Sequence, residues 1–161
     1  MLPEAIYLLG LIAAANTAPL LATRLLGDKL AYPVDANRTF CDGAPVLGRA
    51  KTVRGVLVGV AAPALLALLV GHALWQGAAI GAAAMVGDVS SSFVKRRLAL
   101  APSSRAIGLD HVPESLLPAW LARGWFGLGA AEVAVLVVVF VAGALLLSKL
   151  FYRLGLRERP Y

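Results

Sequence analysis

The segment GDVSSSFVKRR, residues 87–97, ends a long apolar run with one acid, three serines and three cations. On a helix with about 100° per residue, four of its polar side chains fall in one narrow stripe: Asp88, Ser91, Ser92 and Lys95. Arg96 flanks this stripe, whereas Arg97 points to the far side of the helix. A charged side chain deep in a bilayer costs at least about 2.5–3.5 kcal/mol, so it faces a cavity or a partner. The stripe is therefore a candidate site for a charged ligand.

A second acidic segment, LDHVPESLLP at residues 109–118, carries Asp110 and Glu114 four residues apart. On a helix these two carboxylates share one face. Carboxylates are hard oxygen ligands that hold Mg²⁺, or Mn²⁺ in its place, while phosphate oxygens complete the octahedron. Lysine and arginine neutralise phosphate charge, and arginine binds phosphate bidentately. Three carboxylates beside several cations are thus typical of metal-dependent phosphoryl or nucleotidyl transfer.

The longest polar stretch, roughly residues 24–54, contains VDANRTFCDGAPVLGRAKTVRG. Its polar side chains include Asp35, Arg38, Asp42, Lys51, Thr52 and Arg54. A loop of this length is uncommon in a compact bundle and is usually functional, so we expect it to contribute to the site. The sequence shows no Ser-His-Asp grouping, no cysteine nucleophile and no Walker-type glycine loop, which leaves the chemistry to carboxylates and cations.

Structural explanations remain open for these residues. The three consecutive cations at the end of the central motif also fit a positive-inside anchor. Asp88 also fits a structural salt bridge to a cation on a neighbouring helix. Asp110 and Glu114 also fit a re-entrant or interfacial segment without a ligand. Asn16 and Pro19 are interpreted as packing features of the first helix, because asparagine commonly bonds across membrane helices.

Composition places these motifs in a membrane protein. Of 161 residues, 60% are hydrophobic and only 15% are charged, against about a quarter charged in soluble domains. No charged side chain occurs at positions 55–87 or 133–148, and a bilayer-spanning helix needs about 20 apolar residues. We expect an all-α polytopic protein with a single domain, residues 1–161, and five transmembrane helices. Their expected positions are about 5–23, two helices within 55–87 with a turn near His72, about 109–121 and about 125–150.

The basic residues predict the orientation. All lysines and arginines except Arg123 fall in the loop at about 24–54, the loop at about 95–108 with the basic motif before it, or the C-terminal tail. Because such residues concentrate on the cytoplasmic side, we expect the N-terminus outside, the C-terminus inside and a cytoplasmic active site at the cell membrane. The net charge of +6 reflects this clustering beside apolar runs and not nucleic-acid binding. Cys41 is the single cysteine, so no internal disulfide is expected.

Four segments together resemble the archaeal CDP-archaeol synthases, also called CTP:2,3-di-O-geranylgeranylglycerol-1-phosphate cytidylyltransferases. AANTAPLL at residues 14–21 resembles the first-helix signature of that family, and the polar loop resembles its cytoplasmic loop. GDVSSSFVKRR resembles its central motif, and LDHVPESLLP resembles its acidic fourth helix. The resemblance implies an integral-membrane nucleotidyltransferase that transfers CMP from CTP to unsaturated archaeol phosphate, an isoprenoid glycerol-ether lipid phosphate. The implied products are CDP-archaeol and pyrophosphate, and the implied cofactor is Mg²⁺.

The resemblance also implies roles for individual residues. Catalysis is expected from Asp88, Lys95 and Asp110, metal binding from Asp88, Asp110 and Glu114, and substrate binding from Arg38, Lys51, Thr52, Ser91, Ser92, Arg96 and Arg97. Two positions depart from the family pattern, since Arg49 replaces a commonly acidic residue and Asn37 a common glycine. Asparagine tolerates the left-handed conformation, so the turn can form at Asn37, whereas Arg49 removes any metal role from its position.

Two other classes of membrane protein use intramembrane carboxylates. A CDP-alcohol phosphotransferase needs D-x-x-D-G-x-x-A-R, and RTFCDGAPVLG has Asp42 without the preceding aspartate or the following Ala-Arg. That class is therefore excluded. A small ion or phosphate transporter with Asp88 and Asp110 as a relay is the alternative. Charge clustered on one side of the membrane and the lack of an internal repeat both favour the enzyme.

Overall fold

The computed structural model describes residues 2–101, 104, 106 and 108–153, and these fold into five α-helices joined by loops. The helices are α1 (Leu2–Leu26), α2 (Val53–Leu69), α3 (Leu74–Arg97), α4 (His111–Ala122) and α5 (Ala130–Arg153). The all-α class and the approximate positions of the five predicted helices are confirmed, including the break near His72. Three basic residues used to predict the orientation, Arg105, Arg157 and Arg159, lie outside the described residues.

Within the part of the chain that the structure describes, three helices are long and apolar enough to cross a membrane: α1, α3 and α5, over Pro3–Leu26, Leu74–Arg97 and Ala130–Lys149. Helix α2 is apolar but has 17 residues, and α4 has only 12. With a rise of about 1.5 Å per residue, α4 is roughly 18 Å long, which is short of the roughly 30 Å hydrocarbon core. A multi-pass helical membrane protein is confirmed, whereas the crossing of the membrane by α2 and α4 stays a prediction.

Helix α3 lies at the centre of the bundle, in contact with α1, α2 and α4. Its approach to α2 depends on small residues, because a Cβ added at Gly77 or Gly81 would overlap backbone atoms of α2 at Pro63 and Gly59. In a bilayer, small residues let helix backbones come close, and lipid tails leave no hydrophobic driving force to do so. Two glycines four residues apart therefore fix the α2–α3 contact.

Gly87 allows a similarly close contact between α3 and α4. A Cβ at this position would overlap the backbone of Pro113 and Glu114 in the first turn of α4. Since Gly87 directly precedes Asp88 in the chain, the contact that seats α4 also brings Glu114 toward Asp88. Packing at one glycine thus sets the spacing between two acidic residues on different helices.

The apolar core lies at the end of the bundle where α1, α3 and α5 begin. Its buried members include Leu8, Leu11, Ile12, Ile80, Ala119, Val133, Leu136 and Phe140. Aromatic rings gather at the same end: Tyr7 stacks on His72 with ring centroids 4.1 Å apart, and Trp75 meets Trp125 edge-on at 5.0 Å. Tyrosine and tryptophan concentrate at membrane–water interfaces. This aromatic end therefore has the character of one bilayer interface, and the long polar loop lies at the other end.

The loop between α1 and α2 is organised around one carboxylate. Asp35 accepts hydrogen bonds from the backbone N–H groups of Leu47 at 2.8 Å, Gly48 at 3.0 Å and Asn37 at 3.0 Å. Burial alone would raise the pKa of Asp35, but the backbone donors outweigh it and lower the pKa below the usual value. Asn37 has a φ of 58°, so the left-handed turn expected at this position is confirmed.

Two residues fasten the start of α2. The buried guanidinium of Arg54 donates hydrogen bonds to the carbonyl oxygens of Gly27 and Lys29, just beyond α1. Thr52 caps α2, since its Oγ1 accepts a hydrogen bond from Gly55 N–H at 3.1 Å. Arg54 therefore belongs to the first turn of α2 and positions this helix against α1, instead of serving as an open cation of the loop.

Candidate active site

A cleft of about 420 Å³ lies at the end of the bundle opposite the aromatic end. Its walls come from α1, the end of the long loop, the start of α2, α3 and the first turn of α4. Its polar lining residues are Asn16, Thr23, Lys51, Thr52, Asp88 and Glu114. The structure thus brings together four residues of the predicted site, which are far apart in the sequence, on the wall of one cleft.

Asp88 is paired with Lys51 inside this cleft. The Lys51 Nζ lies 2.6 Å from one carboxylate oxygen and 2.7 Å from the other. The side chain of Lys51 remains 23% exposed and that of Asp88 26% exposed. Asp88 therefore forms the salt bridge that the structural interpretation expected, but its partner comes from the loop and the pair faces a space large enough for a ligand.

Glu114 is the second carboxylate of the cleft. It is only 8% exposed, and its Oε1 lies 2.8 Å from His111 Nδ1 in the same turn of α4. Asp88, Glu114 and the side-chain amide of Asn16 offer hard oxygen donors to one space, which fits a divalent cation such as Mg²⁺. Within the described part of the chain, no three His, Cys, Asp or Glu side chains gather around one point. The expected three-carboxylate metal site therefore stays a prediction.

Asp110 is paired with Lys95, away from the cleft wall. The Lys95 Nζ lies 2.5 Å from Asp110 Oδ1 and 3.3 Å from the carbonyl oxygen of Ser104. The other carboxylate oxygen of Asp110 accepts a hydrogen bond from Ala106 N–H at 2.7 Å. This network ties the end of α3 to the segment that leads into α4, and so it fixes the helices that carry the two cleft carboxylates. The catalytic roles expected for Lys95 and Asp110 stay predictions.

Arg97 clamps the long loop onto α3. Its guanidinium contacts two rings, 4.7 Å from the centroid of Phe40 and 4.9 Å from that of Phe93, at distances typical of cation–π contacts. Its Nε lies 3.2 Å from Asp42 Oδ2, and its Nη2 donates to the carbonyl oxygen of Pro45 at 2.7 Å. Arg97 points away from the stripe that starts at Asp88, as the sequence predicts. These contacts give it a fastening role, and they lend no support to the expected substrate contact.

The remaining predicted substrate residues differ in exposure. Ser91 and Ser92 are each 2% exposed, and Ser91 Oγ donates to the backbone carbonyl of Asp88 at 2.9 Å. Arg96 is 5% exposed and donates to a carbonyl oxygen in the α3–α4 connection at 2.9 Å. The exposed Arg38 side chain has no ion pair with any residue that the structure describes. Arg38 is therefore the member of this group that is open to an incoming phosphate.

The sequence pattern favours packing for Asn16, whereas the structure places it on the wall of the cleft. Its Nδ2 donates to the carbonyl oxygen of Ile12 at 3.0 Å, one turn earlier on α1. This bond uses the amide nitrogen and leaves the amide oxygen as an acceptor. The signal was present in the sequence, because polar residues within membrane helices usually face a cavity and mark a functional site.

Comparisons with known proteins point to one group. A family model described as CarS-like, CDP-archaeol synthase, matches residues 2–161. A CDP-archaeol synthase of Thermofilum pendens is 34% identical over 154 residues, which cover 91% of this chain and 75% of that protein. A CDP-archaeol synthase of Aeropyrum pernix is 34% identical over 168 residues, with 98% and 91% covered. A solved structure described as an intramembrane enzyme for archaeal membrane lipids biosynthesis matches with a TM-score of 0.73 at 28% identity, covering 90% of this chain and 92% of that one.

Proposed function

Because the chain belongs to the CarS-like family of CDP-archaeol synthases, it is a CTP-dependent membrane cytidylyltransferase of archaeal lipid synthesis, and we propose that the cleft is its active site. Its substrates are CTP and a lipid phosphate. The acceptor in this proposal is unsaturated archaeol phosphate, 2,3-di-O-geranylgeranylglyceryl phosphate, and the products are CDP-archaeol and pyrophosphate. One observation carries the assignment of the site: an acid from α3, an acid from α4 and a lysine from the loop meet in one cleft.

The transporter alternative is not favoured. The proteins that this chain matches are enzymes by description. The ion pairs of Asp88 and Asp110 also lie toward the polar-loop end of the bundle, whereas the buried core at the aromatic end is apolar. A relay would need ionisable groups along the whole path through the bundle.

Nucleotidyl transfer depends on positioning and charge neutralisation more than on covalent help from the protein. An oxygen of the lipid phosphate attacks the α-phosphorus of CTP in line, and the bond from that phosphorus to the bridging β-phosphate oxygen breaks to release pyrophosphate. Negative charge grows on the leaving pyrophosphate. Lys51 is the cleft residue that offsets this charge. The Thr52 hydroxyl accepts from Gly55 N–H and keeps its own proton to donate to a phosphate oxygen.

Asp88, Glu114 and the Asn16 amide oxygen are the groups that would hold a Mg²⁺ ion, with Mn²⁺ as a substitute. When bound, the metal would neutralise phosphate oxygens of CTP. Asp88 already binds a cation with both oxygens, the ammonium of Lys51, which supports its role as a metal carboxylate. Asp110, also expected to be a ligand, supports the site in this proposal by holding Lys95 between α3 and α4.

In the proposed orientation all five helices cross the membrane, with the N-terminus outside and the C-terminus in the cytoplasm. The cleft then faces the cytoplasm, where CTP is supplied. Two features support this side. The loop that closes the cleft carries Lys29, Arg38 and Lys51, and loops rich in such residues stay cytoplasmic. The opposite end carries the stacked Tyr7 and His72 rings and the tryptophan pair.

Purified protein is expected to convert CTP labelled at the α-phosphate, together with 2,3-di-O-geranylgeranylglyceryl phosphate, into labelled lipid. EDTA should abolish the reaction, and Mg²⁺ or Mn²⁺ should restore it, because a metal held by Asp88 and Glu114 would neutralise phosphate oxygens of CTP. Thin-layer chromatography of the lipid fraction measures the product. As a control, CTP labelled at the γ-phosphate should give labelled pyrophosphate and no labelled lipid. A full rate in EDTA would contradict the metal, and the absence of lipid product would contradict the acceptor.

Single cysteines in a Cys41→Ser background test the orientation. An impermeant maleimide outside sealed right-side-out vesicles is expected to label Ala73→Cys, in the short turn between α2 and α3, and not Thr39→Cys, in the long loop. Both native positions are exposed in the structure, so both cysteines should react after permeabilisation. The reverse pattern would place the cleft on the outer face and overturn the proposed side.

A further inference from the structure

The ammonium of Lys51 takes up both carboxylate oxygens of Asp88, at 2.6 and 2.7 Å. The backbone of Lys51 is held on both sides, because its N–H donates to the carbonyl of Gly48 at 3.2 Å and its carbonyl accepts from Val34 N–H at 2.8 Å. The side chain is a flexible four-carbon stem with a compact charge at its tip. Any movement of this charge therefore comes from side-chain rotation and not from a shift of the loop.

A divalent cation and this ammonium need the same oxygens. Mg²⁺ binds carboxylate oxygen at about 2.0–2.1 Å and demands near-octahedral geometry. An ammonium that hydrogen-bonds both oxygens of Asp88 occupies the same side of the carboxylate, and two positive groups there repel one another. A metal that binds Asp88 must therefore displace Lys51.

A displaced Lys51 has few partners within the cleft. The second carboxylate, Glu114, is already engaged with His111 at 2.8 Å and lines the same cleft as Asp88, so a bound metal would also draw on it. The other polar lining groups are two threonines and one asparagine, which carry no charge. Phosphate oxygens of an incoming nucleotide are the anionic partners that the displaced ammonium lacks.

We propose that Lys51 is an exchanging cation: it neutralises Asp88 until a divalent cation arrives with a nucleotide, and it then moves to a phosphate oxygen of that nucleotide. This inference rests on the proposed function and adds to it how the binding of metal and the binding of nucleotide depend on each other. Metal alone competes with Lys51 for Asp88, whereas metal and nucleotide together give each charge a partner. Binding of the two is therefore cooperative, through a coupling that one side chain carries.

The test compares Mn²⁺ binding to wild type and Lys51→Gln by electron paramagnetic resonance, which counts free Mn²⁺. Without nucleotide, Lys51→Gln is expected to bind Mn²⁺ about fivefold more tightly, since a partly exposed charge pair no longer competes. With a non-hydrolysable CTP analogue, the same variant should bind the Mn²⁺–nucleotide complex at least about tenfold more weakly, because a charged hydrogen bond to phosphate is lost. The two changes have opposite signs.

Each other result is decisive. A lysine that only repels metal would tighten both kinds of binding on removal, and a lysine with a purely structural part would weaken both; either outcome overturns the exchange. Lys29→Gln, a lysine of the same loop outside the cleft lining, is the matched control and should change neither. Asp88→Asn separates the two proposals: if it binds Mn²⁺ as wild type does, the metal site itself fails. If Asp88→Asn loses binding but Lys51→Gln does not tighten it, only the exchange fails.

A measurement on the wild type guards against a variant that does not fold. Amine-specific labelling, quantified by mass spectrometry at Lys51, should be slow in the free protein because the ammonium is paired with Asp88. Saturating Mn²⁺ alone should make it faster, and Mn²⁺ with the CTP analogue should make it slow again. Lys29 should label at one rate throughout. Equal labelling of Lys51 in the first two conditions would show that metal does not displace it.

Discussion

Asp88→Asn is expected to lower cytidylyl transfer more than about 100-fold, in line with the loss of a group that stabilises charge in the transition state. The amide keeps the shape of the side chain and removes the negative charge that attracts a metal. It also leaves Lys51 without its anionic partner. The measurement is kcat for labelled lipid at saturating CTP, with the Tm in detergent taken in parallel. The Tm should change little, because the side chain stays about a quarter exposed on a cleft wall.

Asp28→Asn is the matched control, since Asp28 is an exposed acid in the turn that follows α1, and it should keep normal turnover. A near-normal kcat in Asp88→Asn would contradict the proposal that the cleft is the active site. Asp110→Asn serves as a second comparison. If Asp110 acts by holding Lys95, its replacement should lower the Tm together with turnover, whereas a metal ligand would lose turnover alone.

Lys95→Ala is expected to destabilise the protein by about 3 kcal/mol, because it leaves the carboxylate of a largely buried ion pair without its partner. The Lys95 side chain is 11% exposed and that of Asp110 is 20% exposed. Turnover should fall with stability, since this pair sets the position of α4 and hence of Glu114. Thermal unfolding and steady-state kinetics of the variant measure both effects.

The controls use the direction in which each cation points. Arg97→Ala should loosen the loop and destabilise the protein less than Lys95→Ala does. Lys149→Ala, at an exposed position late in α5, should leave the stability unchanged. The double variant Lys95→Ala/Asp110→Ala should recover part of the lost stability, because neither charge is then left buried alone. Equal and mild effects at Lys95, Arg96 and Arg97 would instead identify a simple membrane anchor.

Much of the fold was predictable because it follows from local patterns. Uncharged runs predict the helices, and the break near His72 follows from the length of one such run. Helical periodicity also separates Arg97 from Lys95 correctly, since both directions depend only on the rotation per residue. Asn37 likewise adopts the left-handed turn that its residue type allows.

The partners of the charged residues were not predictable, because they depend on how distant segments dock. Lys51 and Asp88 are 37 residues apart, and nothing in either segment specifies the other. The Arg97 clamp depends on Phe40, a loop residue whose backbone N–H donates to the carbonyl oxygen of Ala44 at 2.8 Å. Asp110 and Glu114 share a helical pattern, yet Asp110 turns to Lys95 while Glu114 faces the cleft. Periodicity gives the face of a helix and not the neighbour that the face meets.

The glycines of α3 have a mechanical consequence. Gly77 and Gly81 face α2, while Gly87 faces α4. Helix α3 therefore makes close backbone contacts with a neighbouring helix on two of its sides. It can neither turn about its axis nor slide by one residue without driving a side chain into a neighbouring backbone. Asp88, the next residue after Gly87, is thus carried by a helix that packs closely against both α2 and α4. Any group that moves during a catalytic cycle must therefore move relative to this fixed carboxylate. The flexible side chain of Lys51, which is paired with Asp88, is such a group.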